Sequence, residues 1–224
     1  MANIHTPEQK QQKADTIATV AGRIFQTKGF NQISMNEIAK QAGMSKGTLF
    51  NYYKTKEDLF MTILLVGYQK YFINLTGYLK ENPLSSINDL KEYLLDETQN
   101  LIMNHSSLIR LNALRAPILE SNSNLSETLT NRKKLYDISE DLGQLIHRQV
   151  PEVSADEINH IFVIQSAIIS GLMNLEGLES FNHKPTGQSL TDFKVDISKE
   201  AQIVFKGYLN EILGERKNET RKHT

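Results

Sequence analysis

The 224-residue sequence contains no cysteine and no tryptophan, and it has only five prolines. Without cysteine the chain forms no disulfide, offers no thiolate to a metal ion and has no cysteine nucleophile. No stretch approaches the roughly 18 consecutive apolar residues that a membrane-spanning helix needs, since the densest runs, such as residues 63–66, are short. The first ten residues lack the apolar segment of a secretory signal. These absences predict a cytoplasmic protein that does not cross a membrane.

The composition itself is that of an ordinary folded domain. Apolar residues make up 39% of the chain and charged residues 23%, which argues against a disordered chain. The charges are divided unevenly, because residues 1–58 carry eight Lys and Arg against five Asp and Glu, whereas the rest carries 17 against 21. This is the asymmetry expected of an amino-terminal part that binds a polyanion, although a difference of three charges also arises by chance.

Apolar residues recur at spacings of three and four along the whole chain, which is the pattern of amphipathic helices. Six predicted helix starts combine a Ser, Thr or Asn with an acidic residue three positions later: Ser34, Thr55, Ser86, Asn124, Ser154 and Ser189. The later helices are predicted near residues 125–146, 155–179 and 192–213. Residues 121–123 and 181–188 are predicted loops. No segment has the alternation of a strand, so the predicted fold class is all-α.

Residues 34–53 are the most informative segment. Ser34 is predicted to cap a short helix over residues 35–41, and Ser45 to cap a second one that ends near residue 52. Between them, Gly43 supplies the positive φ that a tight turn requires. The segment therefore has the pattern of a helix-turn-helix.

The second of these short helices is polar on one side. Hydroxyl, amide and amine groups near the start of a helix can reach base edges and phosphates in the major groove of DNA. The candidate DNA-binding residues here are Ser34, Ser45, Lys46, Gly47, Thr48 and Asn51, with glycine at 47 permitting a close approach of the backbone. Alternatively, the segment is an ordinary capped helical hairpin whose polar side faces solvent.

A longer stretch, residues 17–61, contains this turn together with characteristic flanks. It has FQTKGF at 25–30, ISMNEIAKQAGMSKGTLFNYY at 33–53 and KTKEDL at 54–59. This stretch, about a fifth of the chain, resembles the DNA-binding region of the TetR family of bacterial transcriptional regulators. The resemblance implies a three-helix DNA-binding head followed by a larger helical domain that binds a small-molecule effector and dimerises.

The resemblance also implies roles for single residues. Lys46 and Thr48 match positions that touch bases or phosphates. Tyr52 matches a position that packs on the DNA backbone, and Lys56 would contact a phosphate from the start of the fourth helix.

Two positions depart from the family pattern. Phe50 stands where the family commonly has tyrosine, so a hydroxyl for a phosphate is absent. Asn51 replaces a frequent aromatic residue or histidine. Both departures leave docking on DNA intact and affect which operator sequence is read.

The predicted domain organisation has three parts: a DNA-binding domain over 1–58, an effector-binding and dimerisation domain over 59–214, and a charged tail over 215–224. The two C-terminal helices are more apolar than one subunit needs, which predicts that they pair with their copies in a homodimer. Such a dimer engages DNA half-sites one turn apart, roughly 34–36 Å. Alternatively, these helices are simply the core of one subunit.

The effector is expected to meet polar residues that interrupt apolar helix faces. The candidates are Tyr71, Asn112, Arg115, Tyr136, His147 and Gln165. Tyr136 and His147 are eleven residues apart, about three helical turns, so they share a stripe that could ligate haem or bind a polar ligand; each is otherwise an ordinary surface or interior residue. No metal site is predicted, because cysteine and His-x-x-x-His pairs are absent.

The predicted function is a ligand-responsive transcriptional regulator, most often a repressor, that leaves double-stranded operator DNA when its effector binds. No resident cofactor, membrane partner or enzymatic activity is predicted. The alternative is a helical ligand carrier or enzyme with an incidental helix-turn-helix. Catalysis would require a nucleophile with a base, a carboxylate pair or a phosphate loop, and the sequence has none at a recognisable spacing.

Overall fold

The computed structural model describes residues 6–175 and 195–214. In these ranges the regular structure is helical and contains no strand, which confirms the all-α fold class. The helices are α1 (Pro7–Thr27), α2 (Met35–Gln41), α3 (Lys46–Phe50), α4 (Lys56–Glu81), α5 (Ile87–Asn104), α6 (Ser106–Ala113), α7 (Leu125–Gln149), α8 (Ala155–Met173) and α9 (Ile197–Gly214). A 3₁₀ turn occupies Phe30–Gln32 and a π-helical turn Arg115–Glu120. The predicted loop at 181–188, the helix start at Ser189 and the tail at 215–224 lie outside the described residues.

The helix starts are set by local side chains. In each predicted start within the described ranges, the side-chain oxygen accepts a hydrogen bond from a main-chain N–H two or three residues later. These bonds satisfy N–H groups that the first helical turn leaves without a partner. They confirm the starts at Ser34, Thr55, Ser86, Asn124 and Ser154. None of the helices in the described part of the chain is long and apolar enough to span a bilayer.

The described chain forms two compact units. The first contains the described residues up to Tyr68 together with Leu114–Leu135, and the second contains Gln69–Ala113 and the described residues from Tyr136 onward. Helices α4 and α7 therefore each contribute residues to both units. The functional boundary expected at residue 58 stays a prediction, because this division follows packing alone.

The first unit is built around aromatic side chains. Helix α1 packs on α2, and α2 packs on α3. Phe25, Phe30 and Phe60 are buried, with the Phe60 ring centroid 5.6 Å from that of Phe25 and 5.2 Å from that of Phe30. Tilted and edge-on ring pairs at such distances are favourable. This aromatic centre holds the start of α4 against the end of α1.

The second unit is a group of packed helices. Helix α5 packs on α6 and α9, and α8 packs on α6 and α9. The Phe72 ring of α4 lies 5.4 Å from the Phe162 ring of α8. Gln149, at the end of α7, donates to Leu79 O at 2.8 Å and accepts from Leu84 N at 3.1 Å. That glutamine fixes the end of α7 to the turn between α4 and α5.

Candidate nucleic-acid interface

Helices α2 and α3 form the predicted helix-turn-helix. Ser34 Oγ accepts from Glu37 N at 3.2 Å at the start of α2, and Ile38 and Ala39 are buried. Gly43 has a φ of 67° and is the one residue with a positive φ in the described ranges. A side chain at that φ would be strained, which explains why the turn requires glycine.

Helix α3 has one buried side and one exposed side. Leu49 is completely buried and Phe50 is half-buried. Ser45 Oγ accepts from Thr48 N at 3.1 Å and lies 2.9 Å from Thr48 Oγ1, so the two hydroxyls form one hydrogen-bonded pair. The structure leaves Thr48 and Tyr52 half-buried and leaves these predicted DNA-binding residues exposed: Ser34, Ser45, Lys46, Gly47 and Asn51.

Two aromatic residues in and after α3 make defined contacts. The Nζ of Lys46 lies 5.6 Å from the centroid of the Phe50 ring, within the range of a cation–π contact. Tyr53 donates through its hydroxyl to Ala14 O of α1 at 3.4 Å. Burial, with a smaller effect of the Asp15 charge, raises the pKa of Tyr53 to about 12. Tyr53 therefore anchors the segment after α3 to α1 as a neutral phenol.

Lys56 has an unexpected set of contacts. Its ammonium donates to Phe30 O at 2.9 Å and to Ile33 O at 3.1 Å, and it lies 4.1 Å from the centroid of the Phe30 ring. An ammonium has three N–H donors, so two of them are used inside the protein. Lys56 thus ties the first turn of α4 to the segment that leads into α2, and a phosphate contact by this residue stays a prediction.

Among the predicted effector residues, Tyr71 and Gln165 are buried in the second unit. Tyr71 donates through its hydroxyl to Glu97 Oε2 at 3.0 Å. Gln165 Nε2 donates to Thr98 Oγ1 at 2.8 Å. Because Glu97 and Thr98 are consecutive on α5, the two predicted residues meet the same part of that helix from α4 and α8.

Asn112 joins the same region from α6. Its Nδ2 donates to Ser166 Oγ at 2.7 Å and also bonds Ser170 Oγ, and Ser166 follows Gln165 on α8. We call these three hydrogen-bonded pairs, which are adjacent along α5 and α8, the polar cluster: Tyr71, Glu97, Thr98, Asn112, Gln165 and Ser166. Sequence reasoning missed Glu97, Thr98 and Ser166, because a single polar residue on an amphipathic helix has the pattern of its solvent side.

The other three predicted effector residues do not join the polar cluster. Arg115 belongs to the first unit, is exposed and pairs with Glu120 at 3.1 Å. The Tyr136 side chain is exposed, with 69% of its surface accessible. His147 Nδ1 lies 2.8 Å from Val153 O in the turn between α7 and α8. The pairing of Tyr136 with His147 around haem therefore gains no support from these positions.

Within residues 6–175 and 195–214, no group of three or more His, Asp or Glu side chains is placed to hold a metal ion.

Comparison with known proteins gives two matches to family models. The model described as bacterial regulatory proteins, tetR family, matches residues 17–63. The model described as tetracyclin repressor-like, C-terminal domain, matches residues 98–178. The first match includes the helix-turn-helix, and the second includes most of the polar cluster.

Similar proteins match over part of their length. The HTH-type transcriptional regulator AcrR of Shigella flexneri is 30% identical over 103 residues, which are 42% of this chain and 45% of AcrR. The HTH-type transcriptional regulator QacR of Staphylococcus aureus is 36% identical over 83 residues, 37% of this chain and 43% of QacR. The chain thus spans less than half the length of these two relatives. A crystal structure of a TetR transcriptional regulator from Rhodococcus sp. RHA1 has a TM-score of 0.49 and 16% identity, covering 87% of this chain and 97% of that one.

Proposed function

Because the chain belongs to the TetR family of bacterial regulatory proteins, we propose that it is a transcriptional regulator that binds operator DNA through α3. The observation that carries the proposal is the exposed polar side of α3 on a buried apolar anchor, Leu49. A helix whose polar start projects from a packed head is suited to the major groove. The relatives named above are regulators, so the alternative of a carrier or enzyme is not favoured.

The polar residues at α3 are proposed to contribute differently to DNA binding according to their chemistry. The Lys46 ammonium supplies charge for phosphates, which gives affinity without sequence preference. The Thr48 hydroxyl and the Asn51 amide offer hydrogen bonds to base edges, which give sequence preference. Because Thr48 Oγ1 shares a hydrogen bond with Ser45 Oγ, its direction is fixed before DNA arrives.

A small-molecule effector is proposed to bind at the polar cluster of the second unit and to release the protein from DNA, which is the behaviour of a repressor. The cluster supplies a carboxylate, two amides and hydroxyl groups among amphipathic helices. It therefore suits a ligand with both apolar surface and hydrogen-bonding groups. A coupling of 5–150-fold in DNA affinity is the usual range for such regulation. The protein would act in the cytoplasm without a resident cofactor.

A homodimer is proposed to form through α8 and α9. Val163 on α8 and Ile203 and Val204 on α9 are apolar and exposed. Burying these side chains against a second copy removes them from water. A twofold dimer would present two copies of α3 to successive half-sites of the operator.

Selection of duplexes from a random DNA library by the full chain tests the DNA-binding proposal. We expect one family of sequences to be enriched, often with two related halves. If no duplex is enriched and binding is the same for all sequences, the proposal of sequence-specific regulation is wrong.

Two substitutions separate affinity from sequence preference. Lys46→Ala is expected to weaken binding to all duplexes and to lower the slope of log affinity against log salt by about one. Thr48→Ala is expected to reduce discrimination between the selected duplex and a mismatched one by about tenfold. Lys80→Ala, which removes an exposed lysine of the second unit, is the matched control for charge. A Lys46→Ala protein with the affinity and salt slope of the Lys80→Ala protein would contradict the assignment of α3.

A further inference from the structure

Asp58, in the first turn of α4, is a buried carboxylate with a distant partner. Only 2% of its surface is accessible. Its Oδ1 accepts a hydrogen bond from the main-chain N of Asn124 at 2.7 Å, across 66 residues of sequence. Both residues belong to the first unit. This bond joins the helix that leaves the DNA-binding head to the residue that precedes α7.

The carboxylate is incompletely satisfied in this position. Asp58 Oδ2 is buried and has no hydrogen-bond partner among the described residues, and the same holds for Ser123 Oγ, next to Asn124. An ionised carboxylate has about four acceptor sites. A buried charge with few partners loses much of its gain to desolvation. Among the described residues, the Asp58 side chain thus has one long-range partner, Asn124 N, and one buried oxygen without a partner.

Side-chain hydrogen bonds hold the start of α7 against the π-helical turn that precedes it. Asn124 Oδ1 accepts from Ser126 N at 3.0 Å. Arg132 donates to Thr128 Oγ1 at 3.0 Å and to Glu120 Oε1 at 3.1 Å. These contacts connect the π-helical turn to the first two turns of α7. A displacement of the first turns of α7 would therefore also displace the main-chain N–H of Asn124.

Asp58, at the other end of the bond, is also linked to neighbouring segments of the first unit. Asp58 N bonds Thr55 Oγ1 at 3.0 Å. Two residues before Asp58, Lys56 holds the carbonyls of Phe30 and Ile33, which lie just ahead of α2. The position of Asp58 therefore bears on the placement of α2 and, through the turn, of α3.

We propose that the hydrogen bond from Asn124 N to Asp58 Oδ1 is the joint through which α7 regulates the DNA-binding head. Asp58 is then a positioning residue for operator binding, and the bond is made in one state of the regulator and broken in the other. The inference rests on the proposed function. The proposal assigns the regulation to one contact. Helix α7 is the element that could relay an effect to this contact, because it continues beyond residue 135 into the second unit, where the effector is proposed to bind.

The test uses the reciprocity of coupled sites, so that no effector is needed. If a change in α7 alters DNA affinity through this joint, then DNA must alter the stability of the joint by the same factor. Amide hydrogen exchange of the full chain is measured by mass spectrometry with and without a saturating amount of the selected duplex. In the wild type we expect the duplex to change exchange in residues 124–132 by roughly tenfold.

Variants at Asp58 show whether the duplex-induced change in hydrogen exchange depends on this bond. Asp58→Ala removes the acceptor and is expected to abolish the duplex-induced change in residues 124–132. Asp58→Asn keeps a neutral acceptor, which forms a weaker bond than a carboxylate, and is expected to reduce the change severalfold. Glu57→Gln removes a half-exposed charge from the same helical turn and is expected to behave as the wild type.

The experiment distinguishes failure of the proposed joint from failure of the proposed function. If no duplex is bound by the wild type, the proposed function fails and the joint fails with it. If the duplex binds but leaves residues 124–132 unchanged, or if Asp58→Ala responds as the wild type does, the joint alone is wrong. Should Asp58→Ala not fold or not bind, Asp58→Asn decides: an unreduced response overturns the proposal.

Discussion

The half-buried Tyr53 makes the stability of the first unit depend on pH. Its folded-state pKa of about 12 lies above the value near 10 expected in an unfolded chain. The folded state therefore favours the neutral phenol, and this contribution to stability is complete below about pH 10. It is lost as the pH rises from about 10 to about 12.

Tyr53→Phe is expected to remove this pH dependence. The free energy of unfolding of the wild type should fall relative to that of the variant by up to about 1.4 kcal/mol per pH unit above pH 10. Urea unfolding followed by circular dichroism at pH 8, 10 and 11 measures the difference, with pH 8 as the reference. A difference that stays constant from pH 8 to pH 11 would contradict the buried, neutral assignment.

The roles of some single residues could be predicted from the sequence, and those of others could not. Gly43 and Ser45 were predicted because their causes, a positive φ and a helix cap, act over a few residues. The bonds of Lys56 to Phe30 and Ile33 and of Asp58 to Asn124 were not predicted. They depend on the packing of segments far apart in sequence, and a lysine or aspartate at a helix start has the same pattern whether it faces solvent or protein.

At the scale of helices, α7 and α8 approach closely at Gly143. A Cβ added there would lie 3.0 Å from Asn159 Oδ1 and 3.1 Å from Ala155 O. Asn159 is held in place, since it accepts from Ser139 Oγ at 3.0 Å and donates to Glu140 Oε2 at 3.0 Å. The close approach therefore depends on the absence of a side chain at residue 143.

Gly143→Ala is expected to lower the free energy of unfolding by about 1–3 kcal/mol, because the added methyl group overpacks the crossing. Gly77→Ala, in α4, meets nothing within 4 Å and is expected to be neutral or to stabilise by up to about 1 kcal/mol. Thermal unfolding of both variants compares them. Equal stability of the two variants would contradict the claim that the approach of α7 and α8 requires glycine at residue 143.

The helix ends divide into those that local chemistry predicts and one that it does not. Capping side chains predicted the starts at Ser34, Ser86 and Ser154. Pro117, by contrast, lies within the π-helical turn Arg115–Glu120, which no capping pattern predicts. It cannot donate a main-chain hydrogen bond, and the chain responds with a widened turn in which Ile118 N and Leu119 N both bond Leu114 O at 3.1 Å.

The proposed dimer depends on the exposed side chains of α9. Ile203→Asp is expected to shift the protein toward monomer by at least about tenfold in dissociation constant, because the dimer would bury an unpaired charge. Operator affinity should fall with it, since one head alone engages one half-site. Sedimentation velocity over a range of concentrations measures the shift.

Leu129→Asp is the matched control for this prediction. Leu129, on α7, is exposed to 58% and Ile203 to 55%, so both substitutions add the same charge to a similar apolar surface. The control is expected to sediment as the wild type does. If Ile203→Asp also sediments unchanged, α9 is not the interface.

The all-α class and the helix-turn-helix could be predicted from the sequence because periodicity and caps determine both. The division into compact units could not, since it depends on residues 114–135 packing with a head that ends more than forty residues earlier.

The division into two units limits how segments of this chain can be joined to another protein. The compact unit that contains α1, α2 and α3 consists of two separate stretches of chain, so a cut near residue 60 does not release it intact. A chimera that borrowed only the first stretch would leave the Asp58 carboxylate without the backbone amide it binds. A chimera that is to keep the first unit intact therefore has to include both stretches of chain, and the second stretch has to fit the first.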